Sequence, residues 1–320
     1  MVRIWAVVLA IAIPTSAFAE TEEQTEPAKF PDGLRVMASD LTILRLNPVG
    51  LETRARIGVQ KKLYPSPKPI TENNFFFAGF YPKLNPASAQ LGIGGELQPA
   101  SIFNVRVLGE VQKYFGTFGY LQSFASANAN YSDHTLADMK DQGAAATVKH
   151  FSVQPMLQLK LGKIALRSLM MFDYWDVPGA LAYEPTFDTL LPDKGWSVAT
   201  DTDVLFVPGN GLAAGIRHSW VKPMYSGAHF ADAADQAAYD GKNSHHRVGF
   251  FGAYTFKDVG PSRFNKPTAI LIVSFYVKHK YRAGEPSTFD PGHDADDYRT
   301  RAFPYLIAGF AFESDFIDVR

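Results

Sequence analysis

The strongest constraint in this sequence is an alternation of apolar and polar residues that returns in one segment after another. In the segment 148–161, for example, most odd positions are apolar, including Phe151, Val153 and Leu157, and most even positions are polar. Successive side chains of a β-strand point to opposite faces, so this pattern predicts a strand with one apolar face. Almost no segment after Leu34 carries apolar residues at helical spacing. The chain is therefore predicted to be all-β.

Twelve segments carry this pattern, and the lengths of their connections predict the topology. Short, turn-forming connections follow the second, fourth, sixth, eighth and tenth strands, whereas long polar segments follow the fifth, seventh, ninth and eleventh. Long and short connections therefore lie at opposite ends of the strands, as expected for antiparallel neighbours. The predicted strands are 34–46, 51–63, 74–84, 88–98, 101–115, 146–161, 164–176, 195–207, 212–224, 245–257, 268–282 and 299–313.

An even number of long antiparallel strands, with short turns at one end and long loops at the other, is typical of a transmembrane β-barrel. We therefore predict a transmembrane, antiparallel, up-and-down β-barrel of about 12 strands over residues 34–320. The barrel must close, because hydrocarbon cannot satisfy an open sheet edge. The apolar faces would contact lipid and the polar faces would line the interior. The alternative is a water-soluble β-sandwich or lipocalin-type barrel that buries the same apolar faces.

The N-terminus predicts export. Arg3 precedes an apolar run over residues 4–13, and Ala17 and Ala19 occupy the small-residue positions of a cleavage site. Residues 1–19 are therefore predicted to be a signal peptide, too short to span a membrane. Residues 20–33 are acidic and contain proline, which predicts a flexible periplasmic lead-in.

Composition excludes several classes of function. The formal net charge of -1 leaves no basic excess for binding nucleic acid. The absence of cysteine excludes disulfide scaffolds, cysteine-ligated metals and thiol nucleophiles.

In its export signal, strand pattern and loop asymmetry, the chain resembles Gram-negative outer-membrane β-barrel proteins. Two blocks, residues 47–51 (NPVGL) and 114–122 (YFGTFGYLQ), look like those of an uncharacterised family of such barrels. The resemblance implies a location in the cell outer membrane and contact with outer-membrane lipid and lipopolysaccharide. Barrels of this class often end on Phe, whereas here Phe316 precedes four more residues, a departure that bears on where the last strand ends.

The charges on the polar faces predict what the interior could do. Basic candidates outnumber acidic ones by about five, and a cationic constriction attracts anions by focusing their field. Because twelve strands enclose little space, we predict a narrow passive channel with a mild preference for small anionic solutes. The residues predicted to line the interior and set this selectivity are Arg54, Arg56, Arg106, Arg167, Arg217, Arg247, Lys278 and Lys280.

The predicted interior resembles that of monomeric twelve-stranded channels for acidic oligosaccharides in strand number and sign of charge only. Two alternatives remain open. Pairs such as Arg54 with Glu96, or Arg106 with Glu110, could fill the interior as a salt-bridged plug. The chain could then act as a closed barrel whose outer loops bind a partner or stiffen the surface.

The sequence gives little support for catalysis or metal binding, and we predict no catalytic residue, metal site or cofactor. Outer-membrane lipases of similar size use a His–Ser pair, but adjacent His218 and Ser219 must point to opposite sides of one strand. A lipid hydrolase is therefore the weakest alternative. The acidic loop 290–297 could bind a divalent cation, although its spacing does not match a calcium loop.

Overall fold

The structure is a computed structural model that describes residues 33–179, 181–256, 264–283 and 303–317. Twelve of the fifteen strands in these ranges form a closed barrel, in the order β1-β15-β14-β13-β12-β11-β8-β7-β5-β4-β3-β2. The predicted all-β, up-and-down, twelve-stranded barrel is confirmed. The strands are β1 (Leu34–Leu46), β2 (Gly50–Lys61), β3 (Phe75–Asn85), β4 (Ser88–Ala100), β5 (Phe103–Phe115), β6 (Ser123–Phe124), β7 (Ala145–Leu161), β8 (Ile164–Asp176), β9 (Leu181–Glu184), β10 (Thr189–Pro192), β11 (Gly195–Phe206), β12 (Leu212–Met224), β13 (His245–Thr255), β14 (Asn265–Lys278) and β15 (Tyr305–Ile317).

The two faces of the barrel wall differ as the alternation predicts. On β7, Phe151, Leu157 and Leu159 are exposed on the outer face, whereas Ser152 and Gln158 are buried on the inner face. Other barrel strands repeat this arrangement, so an apolar surface surrounds the closed sheet. Such a surface is stable against lipid tails, and closure satisfies every strand edge. The molecule is therefore a transmembrane barrel of the outer-membrane type, and the alternative in which these faces turn inward is wrong.

Ten of the predicted strands match the structure to within two residues at each end. The last two do not. β14 ends at Lys278 rather than at residue 282, and β15 runs from Tyr305 to Ile317 rather than over 299–313. β15 continues past the predicted end because Glu313 and Asp315 turn inward and bind Arg35 of β1. Phe316 thus lies within the last strand and is exposed on its outer face.

The predicted signal peptide 1–19, residues 20–32 of the lead-in and the acidic loop 290–297 lie outside the described residues. The short helices α1 (Pro69–Glu72), α2 (Asp133–Asp138) and α3 (Ala233–Ala237) all lie in connections between strands. Among the described residues, no helix is long and apolar enough to cross a bilayer.

Part of the interior is a hydrophobic core rather than a polar passage. Leu205, Phe251, Ile270, Ile272 and Ile307 point inward from β11, β13, β14 and β15 and are buried against one another. Their contact removes apolar surface from water and fills this side of the barrel. A second inward cluster, Met37, Phe75, Phe77, Tyr81 and Leu108, packs on the side formed by β1, β3 and β5. Apolar packing therefore fills part of the interior on both sides.

At the outer end, three long connections fold into a cap. Strands β6, β9 and β10 form a small sheet in the order β10-β9-β6. Ala182 of β9 and Leu191 of β10 pack on Val148 and Trp175, which point inward from the barrel wall. The β9–β10 hairpin is therefore inserted into the outer mouth of the barrel.

Candidate functional site

Two arginines meet one carboxylate on the β2–β5 side of the interior. Glu96 and Arg106 face each other across β4 and β5, and Arg106 Nη2 lies 3.1 Å from Glu96 Oε2. Arg56 on β2 donates from Nη1 to the same oxygen at 2.6 Å, and its guanidinium lies 4.4 Å from the Phe77 ring centroid. Asn104 Nδ2 donates to the other oxygen of Glu96 at 2.8 Å. We call Glu96, Arg56, Arg106 and Asn104 the Glu96 cluster.

A second group of the same composition lies on β8, β11 and β12. Arg167, Asp203 and Arg217 are direct cross-strand neighbours, with the carboxylate between the two arginines. Arg167 Nε donates to Asp203 Oδ2 at 2.9 Å, and Arg217 Nε donates to Asp203 Oδ1 at 2.6 Å. The Phe251 ring lies 4.5 Å from the Arg217 guanidinium and 5.4 Å from that of Arg167. We call Asp203, Arg167 and Arg217 the Asp203 cluster.

The two clusters differ in how much water they meet. The Arg106 side chain is 26% exposed beside a Glu96 that is completely buried. In the Asp203 cluster, Arg167 is only 6% and Arg217 only 10% exposed. The Glu96 cluster therefore presents a cation to the interior, whereas the Asp203 cluster is almost dry.

Arg54 extends the exposed cationic surface. It pairs with Glu52, two residues away on β2, and not with Glu96 as one alternative suggested. Its side chain is 42% exposed, against 10% for Glu52. Lys83, which is the direct partner of Arg54 on β3, is also partly exposed. The acid is again more deeply buried than the base.

Arg247 points inward but is held by aromatic rings. Its guanidinium lies 3.7 Å from the Tyr305 ring centroid and 5.6 Å from that of Tyr276. Among the described residues, its Nε and Nη1 atoms are buried without a hydrogen-bond partner. This arginine therefore contacts the inner wall rather than open water.

The two predicted lysines do not line the interior. Arg247 pairs with Tyr276 and His246 with Lys278, so Val277 is an extra residue, a β-bulge that places Lys278 on the outer face beside His246. Strict alternation does not anticipate a bulge. Lys280 lies beyond β14, and its Nζ donates to the carbonyl of Ala129 in the cap at 3.2 Å. These two placements are corrections, and any role of the six arginines in selectivity remains a prediction.

Several interior charges escaped the sequence analysis because they lie at strand ends or next to turns. Arg35 binds Glu313 and Asp315, and Arg45 is buried beside the turn at Pro48. Two added cations and two added anions leave the net charge unchanged, and the loss of Lys278 and Lys280 lowers the predicted excess of cations from about five to about three. Net charge alone therefore does not distinguish an anion path from a plug.

At the tip of the β9–β10 hairpin, Asp188 anchors the cap. It accepts hydrogen bonds from Tyr276 Oη at 2.6 Å, Tyr183 Oη at 2.8 Å and Arg282 Nε at 2.7 Å. Burial alone would raise the pKa of the Asp188 carboxyl, but the neighbouring Arg282 and His279 hold that pKa well below its ordinary value. Asp188 is therefore ionised at neutral pH and fixes the hairpin.

Arg282 joins this hairpin to two other parts of the outer mouth. It donates to both carboxylate oxygens of Asp133 on α2 at 2.7 Å and to Asn47 Oδ1 in the β1–β2 turn at 2.8 Å. Beside this junction, a cavity of about 590 Å³ opens at the outer mouth. Its wall is mainly apolar and includes Leu46, Val49, Phe118, Leu136 and Phe303.

His218 and Ser219 do not form a pair. Ser219 points inward and donates to Asp201 Oδ1 at 2.5 Å. His218 points outward, and its Nε2 lies 3.1 Å from Nδ1 of His246 on β13. The two side chains are thus on opposite faces of β12, as the strand geometry predicts.

Comparison with known proteins adds no closer assignment. No protein-family model matches the sequence, and a search of curated proteins found no match. Similar solved structures include an outer membrane channel from Pseudomonas putida F1, at 8% identity and TM-score 0.43, covering 93% of this chain and 100% of the other. OccAB1 from Acinetobacter baumannii is 12% identical with TM-score 0.38, covering 92% and 67%. The translocator domain of autotransporter NalP from Neisseria meningitidis is 10% identical with TM-score 0.39, covering 90% of each chain. At such identities and TM-scores, the likeness assigns no function.

Proposed function

We propose that this outer-membrane barrel is a narrow passive channel that prefers small anionic solutes, and not an enzyme. One observation carries the proposal: on the β2–β5 side of the interior, arginines face the accessible space while their acidic partners are buried. Arg54 is 42% and Arg106 26% exposed, whereas Glu52 is 10% exposed and Glu96 completely buried. A solute on this side of the interior therefore meets cations.

The size of the passage follows from the packing of the interior. The hydrophobic core fills the side formed by β11, β13, β14 and β15. A second apolar cluster packs inward from β1, β3 and β5, so that little space is left along the barrel. On β3, β5 and β7, Lys83, Arg106 and Gln154 are partly exposed. A solute that passes close to these cations is little screened from their field. Selectivity by charge is therefore expected for small solutes.

A solute can pass the outer mouth only when the cap moves. The β9–β10 hairpin occupies the outer mouth and is fixed there by Asp188 and Arg282. We therefore expect brief or infrequent openings, each of which requires displacement of the hairpin.

Solute flux into vesicles tests this function. Purified full-length protein, reconstituted into liposomes, should admit small organic anions faster than neutral or cationic solutes of the same size. The double variant Arg54→Ala/Arg106→Ala should lose this order, whereas Arg54→Lys/Arg106→Lys should keep it. Equal rates for all solutes in the wild type would contradict the preference. Absence of flux in both the wild type and a variant with a loosened cap, Arg282→Met, would contradict the channel itself.

A second candidate is a closed barrel that binds a solute at its outer mouth, and the cavity beside Arg282 favours it. That cavity of about 590 Å³ is large enough for a small organic molecule and is lined by both apolar residues and Asp133. This candidate predicts that Leu136→Trp, which fills the cavity, abolishes binding of a solute while the Arg54 and Arg106 substitutions do not.

A further inference from the structure

Near the outer end of the barrel, three residues form a row on the lipid-facing wall. Trp220 on β12 is the direct partner of His246 on β13, which in turn is the direct partner of Lys278 on β14. Cross-strand partners project from the same face of a sheet, so the three side chains are neighbours. Lys222, two residues beyond Trp220 on the same face of β12, is also exposed. We call His218, Trp220, Lys222, His246 and Lys278 the outer-wall patch.

A change of register builds this patch. Ser274 and Tyr276 of β14 point inward, and strict alternation would send Lys278 inward as well. The bulge at Val277 turns Lys278 outward instead, beside His246. Bulges redirect a side chain at the cost of a regular ladder, which marks the position of Lys278 as a specific feature of the wall.

Within the patch, the rings are ordered and the lysines lack a counterion. The His218 and His246 rings stack at 5.3 Å, and the Trp220 indole lies 6.1 Å from His246 and donates to Ser244 Oγ at 3.2 Å. In the part of the chain that the structure describes, neither Lys222 nor Lys278 forms an ion pair. Both lysines are therefore available to an anion that lies on the patch.

Directly below the patch, toward the middle of the membrane, the same wall is apolar. Ile216, Val248, Phe275 and Val277 are exposed on the outer face. The wall thus offers cations and a tryptophan above and hydrocarbon contacts below. A phosphorylated lipid has the same arrangement, with phosphates at the surface and acyl chains beneath.

We propose that the outer-wall patch binds the phosphates of lipopolysaccharide in the outer leaflet, with the acyl chains lying on the apolar wall below. Lys222 and Lys278 bind the phosphate oxygens, and the stacked rings support the sugar to which the phosphates are attached. The long connections place this end of the barrel outside the cell, where lipopolysaccharide carries the phosphates of the leaflet. The proposal depends on this orientation and not on the channel function.

The test is binding of lipopolysaccharide to purified full-length protein in a phosphate-free detergent solution. Because Lys222→Ala/Lys278→Ala removes both cations that face the phosphates, it should weaken binding by at least about tenfold. The charge-preserving variant Lys222→Arg/Lys278→Arg should bind like the wild type. The matched control is Lys61→Ala, an exposed lysine on the outer face at the opposite end of the barrel, which should leave binding unchanged.

Two further probes separate the sources of the phosphate. Dephosphorylated lipopolysaccharide should bind weakly to the wild type. Its affinity should be about that of intact lipopolysaccharide for the double alanine variant. Inorganic phosphate alone should not compete with lipopolysaccharide at millimolar concentration. Equal binding of intact and dephosphorylated lipid would overturn the phosphate contact. Displacement by inorganic phosphate would show a simple anion site and overturn the lipid. If the double variant is folded, as judged by its resistance to unfolding in detergent, and still binds like the wild type, the patch is not the site.

Discussion

The Glu96 cluster and the Asp203 cluster contain the same groups in different surroundings. Each sets two arginines around one carboxylate: in the Asp203 cluster all three lie on adjacent strands, whereas in the Glu96 cluster Arg56 on β2 reaches across β3 to Glu96 on β4. The Asp203 cluster packs against Phe251 at the edge of the hydrophobic core, and its members are almost inaccessible to water. The Glu96 cluster keeps Arg106 partly exposed. Packing around a charge, rather than its presence on the inner face, therefore separates a cluster that stabilises the barrel from one that can meet a solute.

The largest loss of unfolding free energy should come from removing the carboxylate of the Asp203 cluster. Asp203→Asn leaves Arg167 buried without its carboxylate and leaves Arg217 only Asp201, at 3.4 Å, and breaking a buried ion pair costs about 3–5 kcal/mol. Unfolding of the reconstituted barrel in urea measures the loss. Asp201→Asn is the matched control on the same arginine. Asp201 is 28% exposed and Arg217 keeps Asp203 in this variant, so it should cost about 1 kcal/mol or less. Equal losses for the two variants would contradict the contrast between dry and exposed charges.

The buried ion pair of the cap can be compared with the Asp203 cluster of the wall. Arg282 and Asp188 are as inaccessible as the Asp203 cluster, but they hold a loop hairpin rather than the wall. Arg282→Met should therefore release the hairpin and leave the barrel folded. Single-channel recording should show longer openings, and a protease should cleave the 177–194 connection faster. Unchanged openings together with unchanged cleavage would show that other contacts hold the hairpin.

The exposed arginines should affect conduction more than stability. Arg54→Ala/Arg106→Ala removes two cations from the accessible wall, and a unit charge at 4 Å in water is worth about 1 kcal/mol. The anion-to-cation permeability ratio should therefore fall several-fold. Because the Arg54 side chain is 42% exposed, Arg54→Ala alone should lower the unfolding free energy less than Asp203→Asn does. If Arg54→Ala/Arg106→Ala greatly lowered the unfolding free energy and left the permeability ratio unchanged, these arginines would stabilise the barrel rather than select anions.

Moderate acid should not release the hairpin of the cap. Because the pKa of Asp188 is held well below its ordinary value, its ionised form stabilises the cap at neutral pH, and this contribution is lost only as the pH falls through that lowered pKa. Open probability should therefore be the same at pH 7 and at about pH 5. A steep rise in openings over this interval would show that a group other than Asp188 fixes the hairpin.

Salt should have a modest effect on selectivity and none on the buried cluster. Raising KCl from 0.1 to 1 M shortens the screening length from about 10 Å to about 3 Å. The charge preference conferred by Arg54 and Arg106 should weaken, while the buried Asp203 cluster should contribute as before to stability in urea. Selectivity that does not depend on salt would place the selective charges in a dry part of the interior.

Much of this architecture could be predicted from the sequence, because alternation fixes which face each strand residue occupies. The strand positions and the opposite orientations of His218 and Ser219 follow from that rule alone. The partners of each charge could not be predicted, since they depend on register: Arg106 meets Glu96 and not Glu110 because β4 and β5 pair at that offset. Lys278 was misplaced because one extra residue reverses the faces beyond it.

The cap was the least predictable part. Its connections are polar overall, but Leu181, Leu190 and Leu191 are completely or almost completely buried there. These leucines were the available signal that the 177–194 connection folds into the barrel mouth. The single carboxylate of Asp188 gave no such signal, because its partners lie on β9, on β14 and at Arg282, far apart in the chain.

The reversal potential of the purified protein in a planar bilayer under a KCl gradient tests the account most directly. Because the exposed charges on the β2–β5 side of the interior are arginines with buried partners, the potential should have the sign of a chloride preference. It should move toward zero in Arg54→Ala/Arg106→Ala and remain in Arg54→Lys/Arg106→Lys. A potassium preference in the wild type, or a chloride preference that survives removal of both arginines, would contradict the account.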